Sequence, residues 1–381
     1  MEHEGCLEVS SRPFGLDNAL PFELLGEIFS HISEDSLDLR YAILVCRSWH
    51  NAIVHHANLW TNIILGYTFV TRFRGARLHH GDAFVRLCIS RSSPLPLRIS
   101  VHDPDCRSLY GKPDGEVSEV CFSLVKHILD SNSGDFQRCR ALSWTFENAI
   151  SDIELAARTF TSASFPVLEY LTIQNLFVVN GNLKIGFPRL PRLKEVTLVD
   201  HAETCTPPFF HDDDFANVER LTFTVTSNWM GYDVNCIRRF RSIRKLMLKG
   251  GGRYGSFIGT MVDPLKPAEF PLLEALTLSG NVPHEVLSLI RTPGLREMDI
   301  EGGWATGRHS LVASHLVHLI RSLENLYVSL SEEVHAMSWV EELERLIAEA
   351  PSLVCVCASP WMVRYLTGKA WCAKLRVMNP K

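Results

Sequence analysis

From residue 139 to residue 358 the chain repeats one hydrophobic spacing. In FPVLEYLTIQN, LPRLKEVTLVD, FANVERLTFTV, FRSIRKLMLKG and FPLLEALTLSG, an apolar residue is followed by apolar residues three and five positions later. The same L-x-x-L-x-L spacing runs through FQRCRALSWTF, TPGLREMDIEG, RSLENLYVSL and APSLVCVCAS. Its first position falls at Cys139, Leu168, Leu193, Val218, Ile243, Leu273, Leu295, Leu323 and Leu353, at intervals of 22 to 30 residues. The closing pair of each unit, such as Leu171 and Ile173 or Leu276 and Leu278, has the period of two of a half-buried strand. A unit this small cannot bury its own apolar edge, so neighbouring units must stack, with strands in a parallel sheet and helices outside it.

Helical spacing appears between some of the strands. EVSEVCFSLVKHIL places Val117, Val120, Cys121, Leu124, Val125 and Ile128 on one face, and SWVEELERLIAEA does the same with Trp339, Val340, Leu343, Leu346 and Ile347. DAFVRLCISRS followed by LRISVHD predicts an earlier helix and strand that begin the same layer or join it to the N-terminal region. Because side chains alternate along a strand, the residues flanking each buried pair face away from the core. Those positions are Tyr170, Thr172 and Gln174; Arg220, Thr222 and Thr224; Lys245, Met247 and Lys249; Ala275, Thr277 and Ser279; Glu297, Asp299 and Glu301; then Tyr327 and Ser329. The face they make turns from basic to acidic across three neighbouring strands, which suits a peptide or protein carrying opposite charges in sequence.

The N-terminal pattern is different. In LPFELLGEIFSHI, Pro21 suits the first turn of a helix and Glu23 puts negative charge at its positive end. Leu24, Leu25, Ile28, Phe29 and Ile32 then predict one apolar face, with Gly26 costing the helix about 1 kcal/mol relative to alanine. A second short helix is expected in DLRYAILVCRSWHNAI, where Leu39, Ile43, Cys46 and Ile53 recur and Trp49 interrupts. So short a unit encloses little core and has to bury apolar surface against something else. The run from Leu20 to Trp60 resembles the F-box, through Leu20-Pro21, Glu23-Leu24-Leu25, Ile28-Phe29, Asp38-Leu39, Ala42, Val45-Cys46-Arg47, Trp49 and Leu59-Trp60. The resemblance implies a small helical bundle that binds the Skp-type adaptor of a cullin-RING ubiquitin ligase. Carried over, the adaptor-binding residues are Leu20, Pro21, Glu23, Leu24, Leu25, Ile28, Phe29, Leu39, Val45, Cys46, Trp49, Leu59 and Trp60.

The repeats, for their part, resemble leucine-rich repeats over roughly residues 90 to 360, although the asparagine that family places after the strand occurs only at Asn281. The two together resemble the fungal-type F-box and leucine-rich-repeat family. The implied fold is α/β, a short helical F-box followed by an irregular leucine-rich-repeat solenoid. The expected organisation is a flexible N-terminus (1–15), the F-box (16–62), a connecting helical segment (63–90), the solenoid (91–360) and a C-terminal cap or tail (361–381). Function follows as expectation: the F-box binds the adaptor, and the sheet face holds a protein substrate through Tyr170, Thr172, Gln174, Arg220, Thr222, Lys245, Met247, Lys249, Thr277, Asp299, Glu301 and Tyr327.

Composition narrows the alternatives. A net charge of −5 disfavours a nucleic-acid partner, since polyanion binders carry a basic face. The eleven cysteines include no C-x-x-C pair, so neither a zinc site nor a disulfide framework is indicated. MEHEGCLEVS lacks the apolar core of a secretory signal, and no run reaches the roughly 18 apolar residues of a membrane span. A cytoplasmic or nuclear protein without membrane contact is expected. Gly250 to Gly255, GGGRYG, fits G-x-G-x-x-G, but Pro264 and Pro267 follow where a dinucleotide fingerprint needs a helix. His211 to Asp214, HDDD, reads as an acidic loop, His309, His315 and His318 as helix-boundary residues, and HEVLSL from His284 lacks the second histidine of H-E-x-x-H. The expectation is therefore an adaptor with no catalytic residues, metal or cofactor of its own. Its alternatives are an adaptor-bound scaffold without a ligase role and a nucleotide-dependent enzyme using the glycine loop. Arg253, Tyr254 and Phe257 in that loop are candidates for a rim anchor on the sheet face.

Overall fold

The computed structural model describes residues 20–32, 39–65, 78–101, 133–145, 165–174, 189–199, 212–225, 237–250, 267–280, 282, 284–301, 313–329, 336–359, 362–363 and 374–377. Helices α1 (Phe22–Ile32), α2 (Leu39–Ala42) and α3 (Arg47–His55) and a 3-10 turn, Ala57–Trp60, come first. Strand β1 (Asn62–Leu65) leads to helix α4 (Leu78–Arg91), β2 (Leu97–Val101), β3 (Cys139–Thr145), β4 (Tyr170–Gln174), β5 (Glu195–Val199), β6 (Arg220–Val225) and β7 (Lys245–Gly250). There follow β8 (Ala268–Glu269), β9 (Ala275–Ser279), α5 (His284–Ser288), β10 (Ile290–Arg291), β11 (Glu297–Glu301), α6 (Ala313–Ile320), β12 (Asn325–Ser329), α7 (Ala336–Ala348), β13 (Cys355–Ala358) and β14 (Leu375–Val377). The predicted helix at 116–129 lies outside the described residues, whereas those at DAFVRLCISRS and SWVEELERLIAEA are α4 and α7.

Twelve strands form one parallel sheet in which each is hydrogen-bonded to the next in chain order, while β8 and β10 make a separate parallel pair. The chain is thus α/β, a helical N-terminal region followed by a long parallel sheet. β1 begins at Asn62, so the sheet starts before residue 91 and its first strand continues directly from the helical region.

The L-x-x-L-x-L spacing explains the register. One buried column runs Ile63, Ile99, Leu142, Leu171, Val196, Leu221, Leu246, Leu276, Met298, Leu326 and Val356, one residue per strand. A second, two residues further along every strand, includes Trp144, Ile173, Leu198, Phe223, Leu248, Leu278 and Ile300. Two further buried positions precede strands β4 to β7, β9 and β11 to β13, as in Phe165 and Leu168, Leu190 and Leu193, or Phe215 and Val218. The later residue donates its N–H to the carbonyl of the earlier at 3.1 to 3.2 Å, a tight turn that aims the strand into the sheet. Leu316, Leu319 and Ile320 of α6 and Val340, Leu343, Leu346 and Ile347 of α7 join the same core.

Between turn and strand lies a column of alternating charge: Arg140, Glu169, Lys194, Glu219, Arg244, Glu274, Arg296 and Glu324. From Glu169 onward, each donates its backbone N–H to the carbonyl of the residue before it in the column at 2.8 to 2.9 Å. Side chains pair as well, Arg140 with Glu169 at 2.9 Å, Lys194 with Glu169 at 3.4 Å, Arg244 with Glu274 at 2.7 Å and Arg296 with Glu324 at 3.9 Å. Hydrogen bonding from Arg140 holds the Glu169 carboxyl below its ordinary range. Such exposed pairs add little stability singly, but like charges would meet if one unit were slipped out of sequence. Phe223→Ala, which empties a fully buried site in the second column, is expected to cost about 3 to 5 kcal/mol in urea unfolding. Thr222→Ala, one residue away on the opposite face, should change stability by less than about 0.5 kcal/mol.

Candidate protein-docking surfaces

The α1 stripe is two stripes. Leu25 and Phe29 are buried, while Leu24 and Ile28, one residue round the helix from each, are exposed. The Leu25 N–H reaches the Pro21 carbonyl at 3.1 Å, so the helical hydrogen bonding starts at the proline. The segment expected to be one further helix is broken into α2 and α3. Ile43, Leu44 and Val45 turn the chain, with Leu44 N–H donating to Tyr41 and Val45 N–H to Ala42. Cys46 is extended, φ −157° and ψ 168°, where the α3 N-cap requires a non-helical residue. Trp49, which interrupted the spacing, packs edge-on against Phe29 with centroids 5.0 Å apart and planes at 76°.

Gly26 has a packing reason. The His56 ring lies against it so closely that a Cβ there would collide with the imidazole. That ring stacks on Phe22 at 4.6 Å, with His56 Nε2 3.2 Å from the Phe22 carbonyl. The helix propensity lost at Gly26 is thus offset by a contact that ties α1 to the end of α3. At the other end of the bundle Trp60 is fully buried, donates Nε1–H to the Ile53 carbonyl at 2.8 Å and meets the ring of Phe84 on α4. Arg91 of α4 lies over the Trp60 ring at 5.3 Å and donates to the Val54 carbonyl at 3.2 Å. The helical region therefore shares one continuous core with the sheet.

These contacts leave apolar side chains uncovered. Leu20, Phe22, Leu24 and Ile28 on α1 and its approach, and Tyr41, Leu44 and Val45 around the α2 turn, make up seven of the ten large apolar residues exposed among the described residues. Leu44 and Val45 are 79% and 61% exposed. Of the adaptor-binding residues carried over from the resemblance, Leu20, Pro21, Glu23, Leu24, Ile28 and Val45 are at the surface and Cys46 and Trp49 are half-buried. Leu25, Phe29, Leu39, Leu59 and Trp60 are in the bundle's own interior. Phe22, Tyr41 and Leu44 were absent from that set, because their exposure depends on His56 and on a turn that apolar spacing does not signal.

Residues 17–66 match the F-box-like family. The match ends one residue after β1, so it covers the bundle and the strand that joins the sheet. No curated protein matches the chain. An F-box-like region points in general to a ubiquitin-ligase adaptor role, and such regions typically bind Skp-type adaptors.

The second surface is the open face of the sheet. All twelve substrate-binding candidates lie on it, half-buried or exposed, in rows set by the register. Thr172, Thr222, Met247, Thr277, Asp299 and Tyr327 share one row with Thr197; Arg220 and Lys245 share another; Lys249 and Glu301 share a third with Ser279. Tyr170 faces Arg140, whose guanidinium is 5.6 Å from the ring centre, and Thr145 Oγ1 donates to Gln174 Oε1 at 3.4 Å. Arg220 pairs with Glu195 at 3.0 Å. Thr224 is buried, unlike its neighbours on that face. Burial, then the nearby Glu297 carboxylate, raises the Tyr327 hydroxyl above the usual phenol range. Beside it, the Cys355 and Cys357 thiols touch at 3.5 Å, and burial followed by that contact pushes Cys357 up to about 11, so it is protonated at neutral pH.

Gly250 closes β7, and the rest of the GGGRYG loop, with Arg253, Tyr254 and Phe257, lies outside the described residues, as do His309, Asn281 and the side chains of His211 to Asp214. His318 Nε2 sits 3.1 Å and 3.0 Å from the Leu287 and Ile290 carbonyls, so it donates, and burial lowers its pKa. Its role is to tie α6 to the segment before β11. A cleft of about 580 Å³ runs along the alternating-charge column, lined by Glu169, Arg192, Lys194, Glu219 and Arg244, where basic and acidic groups are interspersed. Gly26→Ala, which raises helix propensity, is expected to destabilise the bundle in thermal unfolding, and His56→Ala added to it should recover part of the loss.

Proposed function

We propose that the protein is a substrate adaptor of a Skp-cullin-F-box type ubiquitin ligase, working in the cytoplasm or nucleus. The observation that carries the reading is the concentration of exposed apolar side chains on the F-box-like region, in a bundle that already has an interior of its own. Isolated exposed leucines are ordinary, but this density in one small unit marks a protein-binding surface. In this reading Leu20, Phe22, Leu24, Ile28, Tyr41, Leu44 and Val45 form half of an intermolecular core with a Skp-type adaptor. Leu25, Phe29, Leu39, Leu59 and Trp60 act indirectly by fixing the helices.

The stacked units are read as irregular leucine-rich repeats whose open face holds a protein substrate. Continuity of the core through Trp60, Phe84 and Arg91 supports a fixed spacing between adaptor and substrate. The protein's contribution to ubiquitin transfer is then proximity, with the chemistry supplied by other subunits.

Co-purification with a Skp-type adaptor tests this. Leu24→Asp and Leu44→Asp, at exposed sites, should each weaken capture by at least about 30-fold with unchanged thermal unfolding. Undiminished capture by both variants would remove the assigned surface. Capture of the adaptor without recruitment of a cullin would leave a scaffold rather than a ligase subunit.

A further inference from the structure

The register of β7, β9 and β11 builds a trough. Lys245, Ala275 and Glu297 are aligned across the three strands, and so are Lys249, Ser279 and Glu301. The floor, β9, carries only Ala275, Thr277 and Ser279 on the open face, so the longer side chains of the flanking strands stand as walls on either side. One wall is basic, with Met247 between its two lysines. The other is acidic, with Asp299 between its two glutamates. Strands about 4.8 Å apart put these walls about 10 Å from each other. Among the described residues the ion pairs of the sheet run along the column before the strands or join β5 to β6, and none joins Lys245 or Lys249 to Glu297 or Glu301 across β9.

We propose that this trough seats an extended segment of a partner protein in which acidic and basic side chains alternate. The inference rests on the reading of the open face as the substrate surface, and it names the chemistry that face selects. Spacing carries it. The open-face residues of each wall recur at alternate positions of a strand, about 6.7 Å apart, all acidic on β11 and basic at the two ends on β7, and one edge of an extended peptide has the same repeat. A peptide lying along β9 turns alternate side chains toward opposite walls. Its residues toward β7 are acidic at the ends with an apolar one opposite Met247, and every residue toward β11 is basic. A segment with the same charges gathered into two blocks puts a wrong sign against each wall. Exposed ion pairs contribute little each, so the trough sets register and specificity more than affinity.

The test uses the full chain and two fluorescent hexapeptides of one composition, Glu-Lys-Leu-Lys-Glu-Lys and its block isomer Glu-Glu-Leu-Lys-Lys-Lys, followed by anisotropy. The alternating peptide should bind about tenfold or more tightly than the isomer, and the preference should shrink as salt rises and the screening length falls below about 10 Å. Lys245→Glu with Lys249→Glu, and separately Glu297→Lys with Glu301→Lys, should each abolish the preference while leaving adaptor capture and thermal unfolding unchanged. Equal binding of the two peptides, or a preference that survives both charge reversals, would overturn the trough. Adaptor capture measured alongside separates the two readings: capture without peptide preference overturns the trough alone, and peptide preference without capture overturns the ligase reading alone.

Discussion

Everything in this molecule depends on parallel strands stacking in register. Parallel neighbours repeat one side-chain environment from strand to strand, so a residue type that suits one position suits the whole column. Here the buried columns hold Leu, Ile, Val, Phe, Met and Trp with little else, and the turns before the strands repeat the same carbonyl-to-amide closure. A slip of one residue would bring the polar face into the core along the whole sheet. The alternating charges before the strands act against a different error, a missing or exchanged unit, because the sign changes at every step. Neither device needs a constant unit length, which explains how 22-residue and 30-residue units share one sheet.

The helical region divides its apolar side chains between two interiors. Trp60 is the junction: it closes the bundle through Ile53, meets Phe84 of the next helix, and is followed two residues later by the first strand. Once Leu25 and Phe29 are packed, Leu24 and Ile28, one position round from them, stay exposed among the described residues. The close approach of His56 to Gly26 serves the same packing, since a Cβ at that position would displace the imidazole that stacks on Phe22.

On the sheet, one backbone rule yields both a core and an open face. Alternation sends every second side chain to the open face, so the core columns and the open rows are fixed together. The core fixes the spacing of the open rows and leaves their chemistry free. That freedom shows in the change from lysine to small residues to carboxylates over β7, β9 and β11, while the buried columns beneath stay apolar.

The sequence by itself determined strands β2 to β7, β9 and β11 to β13, their parallel stacking, the inward and outward sides of each and the helices α4 and α7. Those features follow from local periodicity, which any stretch of about a dozen residues displays. It also pointed to the F-box-like region, whose ordered Leu-Pro, Leu-Leu, Ile-Phe and Leu-Trp pairs are visible as text. Only the tertiary structure decided how that region uses them. Leu24 and Leu25 are equally apolar, and which is buried depends on where Trp49 and His56 sit, residues more than twenty positions away. The break at Cys46 and the exposure of Leu44 depend likewise on how α2 and α3 pack. The alternating-charge column spans units 22 to 30 residues apart, and its members became neighbours only when parallel pairing placed their backbones 2.8 to 2.9 Å from hydrogen-bond partners. Periodicity along a chain reports which side of an element faces inward, and contacts between elements decide what meets it there.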